Sequence, residues 1–286
     1  MRSKHILLPT DFSVNAKNAI NYATHLFEKE ECIFYVLNSF EVGASGLSST
    51  MGKAKNTRLY RALKEESERN LNALLKELIS KNKNRLHEFK GLCIGDSLLN
   101  ALGKTFLDNN GNYIFMGTKG SSAVKEVFMG SNTVSVIKNL DFCPIVAVPE
   151  NYHFEIPELL VFATNFEHAY AKAELNPLIG LAKLWDSEIT VLHVDTGKKL
   201  SQQQETSKNL LIKRLEGIPY KFVEVKGESK ISDAIKSYTA KNEKVHMIAM
   251  VNYWHSFFER LTRENVINRI AFSTEVPFLV LPLIDP

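Results

Sequence analysis

Gly117-Thr118-Lys119-Gly120, nine further residues, then Gly130-Ser131: the reading of this stretch decides the fold. It follows the apolar run Tyr113-Ile114-Phe115-Met116, which reads as a buried strand. It precedes an amphipathic run from Thr133 to Leu140, which reads as a helix. A strand, a glycine-punctuated loop and a helix start together make an anion site. The helix end offers unpaired N–H groups and the positive end of its dipole. Glycine lets the backbone approach an anion closely or turn through positive φ. Ser131 and Thr133 can cap the helix or bond a phosphate oxygen. The plainer reading is a surface loop with three convenient glycines, so the surrounding sequence has to decide.

Working outward, the first half alternates apolar runs with helical patterns. Strands are predicted near 4–9, 31–38, 86–93, 112–117 and 145–148, and helices near 14–28, 54–83, 97–109 and 131–140. Short, continuously apolar strands imply a sheet covered on both faces, and strict alternation implies parallel, right-handed crossovers. In such sheets ligands bind beyond the C-terminal strand ends, where the strand order reverses. Asp11, Val36 and Gly117 are all expected at such ends.

The pattern then repeats. Leu159 to Phe166 echoes Ile6 to Phe12, and Thr190 to Val194 echoes Ile33 to Val36. Gly227-Glu228-Ser229 echoes Gly95-Asp96-Ser97, and Val276 to Pro282 echoes Cys143 to Pro149. The chain therefore reads as two copies of one domain, 1–150 and 151–286, joined near Glu150 to Pro157. Second-half strands are predicted near 158–164, 188–194, 219–225, 245–250 and 277–282, and helices near 168–185, 201–215, 229–241 and 262–272. The expected fold class is α/β: two tandem, doubly wound, flavodoxin-like parallel sheets of five strands each.

Composition narrows the class. The 286 residues are 44% hydrophobic and 23% charged, as in a globular protein. With 35 basic against 32 acidic residues, the net charge of +3 implies no nucleic-acid or membrane surface. The basic cluster from Lys76 to Arg85 ends a long predicted helix, where cations complement the dipole. Cys32, Cys93 and Cys143 lie in or beside apolar runs without CxxC or Cys/His spacing, so free thiols in a reducing cytoplasm are expected, and no metal site. No apolar run reaches the roughly 20 residues of a membrane span. Pro9 and Asp11 end the first apolar stretch too soon for a signal-peptide core.

The spacing Gly-x2-Gly-x9-Gly-Ser resembles the nucleotide signature of ATP-binding universal stress proteins, with Gly117, Gly120, Gly130 and Ser131 matching without gaps. Ile6-Leu7-Leu8-Pro9-Thr10-Asp11-Phe12-Ser13 is similar to that family's first strand and turn. Phe34-Tyr35-Val36 resembles the end of its second strand, and Pro144 to Pro149 its closing strand. The resemblance implies ATP, with or without Mg²⁺, as ligand. It places Asp11 on the ribose or adenine, Pro9 and Val36 as apolar walls for the base, and Gly117, Gly120, Gly130, Ser131 and Asn132 around the phosphates. Each residue also has a purely structural role open to it: Asp11 or Ser13 as a helix cap, Pro9 and Val36 as strand-end packing, Lys119 and Lys125 as solvated cations.

The second half departs from the motif. Asn165 answers Asp11, and Met250-Val251-Asn252-Tyr253-Trp254 answers the glycine loop. No glycine occurs after Gly227, and Glu264 near the predicted helix entrance would repel an anion. ATP is therefore expected in the first half only, with Tyr253, Trp254, Phe257 and Phe258 filling the vacated space or forming an interface. No Walker lysine motif and no catalytic residue is apparent; His193-x-Asp195 is a weak pair on one strand. The expected activity is nucleotide-linked regulation through protein partners, with at most slow hydrolysis. Flexible cover by Gly43 to Ser49, packing of the halves as a pseudo-twofold pair through 145–148 and 277–282, and a further homodimer complete the expectations. The rivals are a partner scaffold without nucleotide, a true ATPase or nucleotidyl-transfer enzyme, and a small-metabolite sensor in the second half.

Overall fold

The computed structural model describes residues 3–41, 57–118, 130–195, 197–227, 230–252, 267 and 274–284. In chain order the first half comprises β1 (Lys4–Pro9), α1 (Val14–Leu26), β2 (Cys32–Ser39), α2 (Arg58–Lys81), β3 (His87–Ile94), α3 (Leu98–Asp108), β4 (Tyr113–Gly117), α4 (Ser131–Asn139) and β5 (Ile145–Val148). The second half comprises β6 (Leu159–Ala163), α5 (Lys172–Trp185), β7 (Glu188–Asp195), α6 (Gln202–Arg214), β8 (Tyr220–Lys226), α7 (Ile231–Ala240), β9 (Val245–Val251) and β10 (Phe278–Leu281).

All ten strands lie in one sheet, in the order β3-β2-β1-β4-β5-β10-β9-β6-β7-β8. Each half thus has the same internal order, read from opposite edges. Pairing within each half is parallel. The join is antiparallel, with Phe278 opposite Ala147 and Val280 opposite Ile145. The closing strands expected to make the contact between halves do so.

The apolar character of the strands follows from this layering. Ile6 and Leu8 enter one core, with residues of α1 and α2, while Leu7 enters the other, with residues of α3 and α4. A strand covered on both faces has no solvated side on which polar residues could alternate. The edge strand β3 has only half-buried and exposed positions, and carries Glu88 and Lys90 outward. Charges on an edge discourage pairing with another chain.

Further bonds tie the halves. Trp185 donates its indole N–H to the Leu26 carbonyl at 2.9 Å, and Tyr113 its hydroxyl to the Pro177 carbonyl at 2.7 Å. Asn252 donates Nδ2–H to the Ile137 carbonyl of α4 at 2.7 Å.

Most boundaries fall within about two residues of expectation, and β2 ends at Ser39 where 38 was expected. The helix predicted from 168 begins at Lys172, because Glu174 folds back on the segment before it, accepting from Ala171 N at 2.7 Å and lying 2.8 Å from His168 Nε2. The helix predicted over 262–272 falls outside the described residues, apart from buried Ile267. Among the described residues no helix is long and apolar enough to cross a membrane.

Candidate functional site

The strand order reverses between β1 and β4, so their C-terminal ends border the crevice. Beyond β1 the chain makes a tight turn. Thr10 Oγ1 accepts from Phe12 N at 2.9 Å and Asp11 Oδ1 accepts from Ser13 N at 3.1 Å. Phe12 takes φ of 65°, a left-handed conformation uncommon for a bulky residue, held by those two side-chain bonds. Ser13 then caps α1 by accepting from Ala16 N at 3.2 Å. The cap role left open between Asp11 and Ser13 thus belongs to Ser13, and exposed Asp11 shapes the turn.

On the other side, Gly117 is the last residue of β4. A Cβ there would lie 2.6 Å from Asn15 Cγ, so the glycine lets the first turn of α1 press against the strand. The Thr133 hydroxyl donates to the Gly117 carbonyl at 2.8 Å, and Gly130 N donates to the Thr118 carbonyl at 2.6 Å. These bonds pin the start of α4 to the end of β4. The N-cap is Gly130, at φ −70° and ψ 150°, with no side-chain cap bond. Ser131 and Asn132 follow, both exposed. Of the two roles open to Ser131 and Thr133, capping belongs to neither, and the Thr133 hydroxyl is bonded to the strand instead; a helix start presents its N–H groups to an anion.

The structure thus brings Asp11, Gly117, Gly130, Ser131 and Asn132 to one rim, with Pro9 buried at the end of β1 beneath them. Val36 is not among them. It sits opposite Leu8 and Gly91, is fully buried in the core, and lies three residues short of the strand end. The strand expected near 31–38 already ran two residues past Val36, so Val36 was an interior position even on that reading. Asn38 extends β2 because its burial is compensated: its Nδ2–H donates to the Thr10 carbonyl at 2.7 Å and its Oδ1 accepts from the Ser67 hydroxyl at 2.6 Å. Cys93 Sγ lies 3.0 Å from the same Ser67 oxygen. This polar relay beneath the turn was not read from the sequence; a polar pair closing an apolar run was its only signal. Gly120, Lys119, Lys125 and the loop from Gly43 to Ser49 lie outside the described residues, as do Tyr253, Trp254, Phe257, Phe258 and Glu264.

Register fixes what the second half has at each position. Thr10 N donates to the Leu37 carbonyl at 2.8 Å, and Thr164 N to the Leu192 carbonyl at 3.0 Å, so Thr164 answers Thr10. The turn is reproduced: Thr164 Oγ1 accepts from Phe166 N at 3.0 Å, Asn165 Oδ1 from Glu167 N at 3.1 Å, and Phe166 has φ of 61°. Burial pushes the Glu167 carboxyl up from its ordinary range. His193 answers Asn38, its Nδ1 lying 3.0 Å from the Thr164 carbonyl. The match of Thr190–Val194 to Ile33–Val36 is therefore corrected: the equivalent residues are 35–39. His193 is held by backbone, and the Asp195 carboxylate accepts from Gly197 N at 2.7 Å, so no His–Asp pair forms. At the crevice, Gly117 opposite Val148 becomes Val251 opposite Leu281.

A separate cleft of about 280 Å³ opens at the other end of the sheet, lined by Asn21, His25, Lys81, His87 and Phe89 among others. His87 lies 3.1 Å from the Phe27 carbonyl and 2.9 Å from Asn82 Nδ2, and its burial holds its pKa below the ordinary value. These bonds fasten the α2–β3 turn. Among the described residues no cluster of three or more His, Cys, Asp or Glu is arranged to hold a metal ion.

The Universal stress protein family model matches residues 2–149. A universal stress protein from Archaeoglobus fulgidus has a similar structure, at 17% identity and a TM-score of 0.68, over 99% of this chain and 98% of that one. A functionally unknown protein from Pseudomonas aeruginosa is similar at 12% identity and a TM-score of 0.57, over 98% of this chain and 92% of that one. No curated protein matches the chain in sequence. The two structures share the whole-chain fold, and the family match spans the half that carries the crevice, the Asp11 turn and the pinned α4 start. The chain belongs to the universal stress protein family.

Proposed function

We propose that the chain is a nucleotide-linked regulator that binds ATP, with or without Mg²⁺, at the first-half crevice and not at its second-half counterpart. The observation that carries this reading is the difference at the exits of two strands that hold the same place in the two halves, β4 and β9. The first has glycine at the β4 exit and a helix start free of side-chain caps, pinned by Thr133 and Gly130. The second has Val251 at the same register position. The phosphates would lie against the N–H groups of Gly130, Ser131 and Asn132, and the ribose beside Asp11, whose carboxylate accepts from hydroxyls. Pro9 would back the site. Gly120 would extend the phosphate loop.

No general base or nucleophile lies in this arrangement of described residues, which favours binding over turnover. The two halves act as two domains meeting near residue 150 and packed as an internal pair, working in the cytoplasm in a stress response. Binding would shift the protein between states with different partner affinity, in proportion to the nucleotide's preference for one of them.

Calorimetric titration of ATP into the purified chain tests this, with Gly130→Glu as control. Glutamate at the N-cap places a carboxylate where phosphate should sit, while the ordinary φ of Gly130 lets the backbone keep its course. One site per chain, lost in a natively folded control, supports the reading. No binding to nucleotide-free protein, or two equal sites per chain, refutes it.

A further inference from the structure

We propose that Phe40 and Tyr60 form a stacking shelf for the base of the bound nucleotide, with the Ser39 side chain at its edge. This inference rests on the nucleotide reading of the first-half crevice and specifies how that site holds its ligand.

The argument begins with the covalent order of a nucleotide. Phosphates at the start of α4 lie beside the β4 exit, and ribose at Asp11 lies beside the β1 exit. The sheet order there is β3-β2-β1-β4. A ligand running from β4 across β1 meets the exit of β2 next, one strand spacing of about 4.8 Å further on. The residues at that exit are Ser39, the last of β2, and Phe40, whose N–H donates to the Ile94 carbonyl at 3.0 Å.

Phe40 does not stand alone. Tyr60, in the first turn of α2, packs against it with ring centroids 5.3 Å apart at 54°. Tyr60 also lies directly on the backbone just beyond β3: a Cβ on Gly95 would come within 2.7 Å of its Cε2 and hydroxyl oxygen. Glycine at 95 is what lets the ring settle there. Phe40, Tyr60 and Ser39 are all half-buried, and the β2 exit that carries Ser39 and Phe40 is next to the β1 exit that carries Asp11. Two partly exposed aromatic rings, fixed by the α2 cap at Thr57 and by the end of the sheet, form a preorganised surface for a planar group.

The second half supplies the contrast. With Leu192 answering Leu37, Phe40 is answered by Asp195, a carboxylate engaged with Gly197 N. The crevice that has valine for Gly117 thus also has an acid in place of the ring. Both changes would disfavour a nucleotide, one at the phosphates and one at the base.

The test compares ATP with inorganic tripolyphosphate, which has the charge but no base. Both are titrated into the wild-type chain, Tyr60→Ala, Phe40→Ala and Tyr60→Phe, with circular dichroism confirming the fold of each. Base stacking on an aromatic side chain sets the expected scale. ATP affinity should fall about tenfold in Tyr60→Ala and in Phe40→Ala. Tripolyphosphate affinity should stay within about twofold, and Tyr60→Phe should restore ATP binding. Unchanged ATP affinity in both alanine variants, with ATP still bound by the wild type, overturns the shelf and leaves the crevice standing. A wild-type chain that binds neither ligand overturns the nucleotide reading, and the shelf with it. Equal losses for ATP and tripolyphosphate would overturn the shelf by showing that the variants disturb the phosphate side.

Discussion

Gly117→Ala places one methyl group at the border between fold and site, and its cost can be worked from the structure. The new Cβ would lie 2.6 Å from Asn15 Cγ and 2.8 Å from both Asn15 Nδ2 and Oδ1, well inside van der Waals contact. Asn15 is buried at the start of α1 and the strand carbonyl of Gly117 is held by Thr133, so neither side yields freely. Overpacking of this kind costs about 1–3 kcal/mol. Exchanging glycine for alanine within a strand returns about 0.5–1 kcal/mol through the unfolded chain. The expected net loss is about 1–2 kcal/mol in urea unfolding, read from the midpoint at unchanged slope. A double-mutant cycle with Asn15→Ala isolates the contact: removing the amide should relieve the clash and give a coupling energy of about 1–2 kcal/mol. A stabilised Gly117→Ala, or the same loss in both backgrounds, would show that the glycine is not there to admit Asn15, and a ligand-only explanation would take its place.

The other expectations concern buried groups. Glu174, fully buried, lies 2.8 Å from His168 Nε2 and accepts from Ala171 N and Ile284 N, so Glu174→Ala should cost about 3–5 kcal/mol in the same unfolding assay; a loss below about 1 kcal/mol would mean the site relaxes without it. Burial pushes the Cys32 thiol up to about 12 and the Cys143 thiol well above its usual range, whereas Cys93 is only half-buried. A thiol reagent at pH 8 should therefore label one cysteine per chain quickly, and fast labelling of all three would contradict the native packing. Burial holds the His87 pKa below the ordinary histidine value of about 6.5, so as pH falls through that value the unfolded state takes up a proton more readily than the native state. Stability should fall as pH drops through that value, with a shallower slope in His87→Gln; equal slopes would deny that His87 contributes.

The fold was legible because its signals were redundant. Each strand is a short apolar run between helical patterns, and each run recurs in the second half, so an error in one boundary could not change the topology. The site was legible only where glycine or a helix start marks it. Gly117, Gly130 and Asp11 fall on one rim because a glycine at a strand exit, a helix entrance and a polar turn are local features. Val36 is not on the rim because it lies inside β2, three residues before its end, with its side chain in the core. Asn38 and Ser67 are buried by bonds to each other and to Thr10, across 29 and 28 residues of sequence, and no local pattern announces such a bond. The start of α5 moved for the same reason: Glu174 is a helix residue by propensity, yet its fully buried carboxylate reorganises the four residues before Lys172.

The two halves also separate what the fold requires from what a ligand requires. The Thr-Asx-Phe turn occurs twice, with the same two side-chain bonds and the same left-handed phenylalanine, so the turn belongs to the fold. Asp11 and Asn165 accept the same N–H at the same 3.1 Å. Asparagine is therefore already shown to support this geometry, and Asp11→Asn should leave stability unchanged while removing only the charge. If Asp11 serves a ribose, losing the charge-assisted acceptor should weaken ATP binding by about tenfold, since bonds to ionised groups are roughly twice as strong as neutral ones. Calorimetry alongside urea unfolding reads both consequences from one protein. Weaker ATP binding at an unchanged unfolding midpoint would assign the carboxylate to the ligand. Unchanged affinity would mean that Asp11 makes the turn and nothing more, and that any preference for the first crevice has to come from Gly117 and the helix start pinned to it.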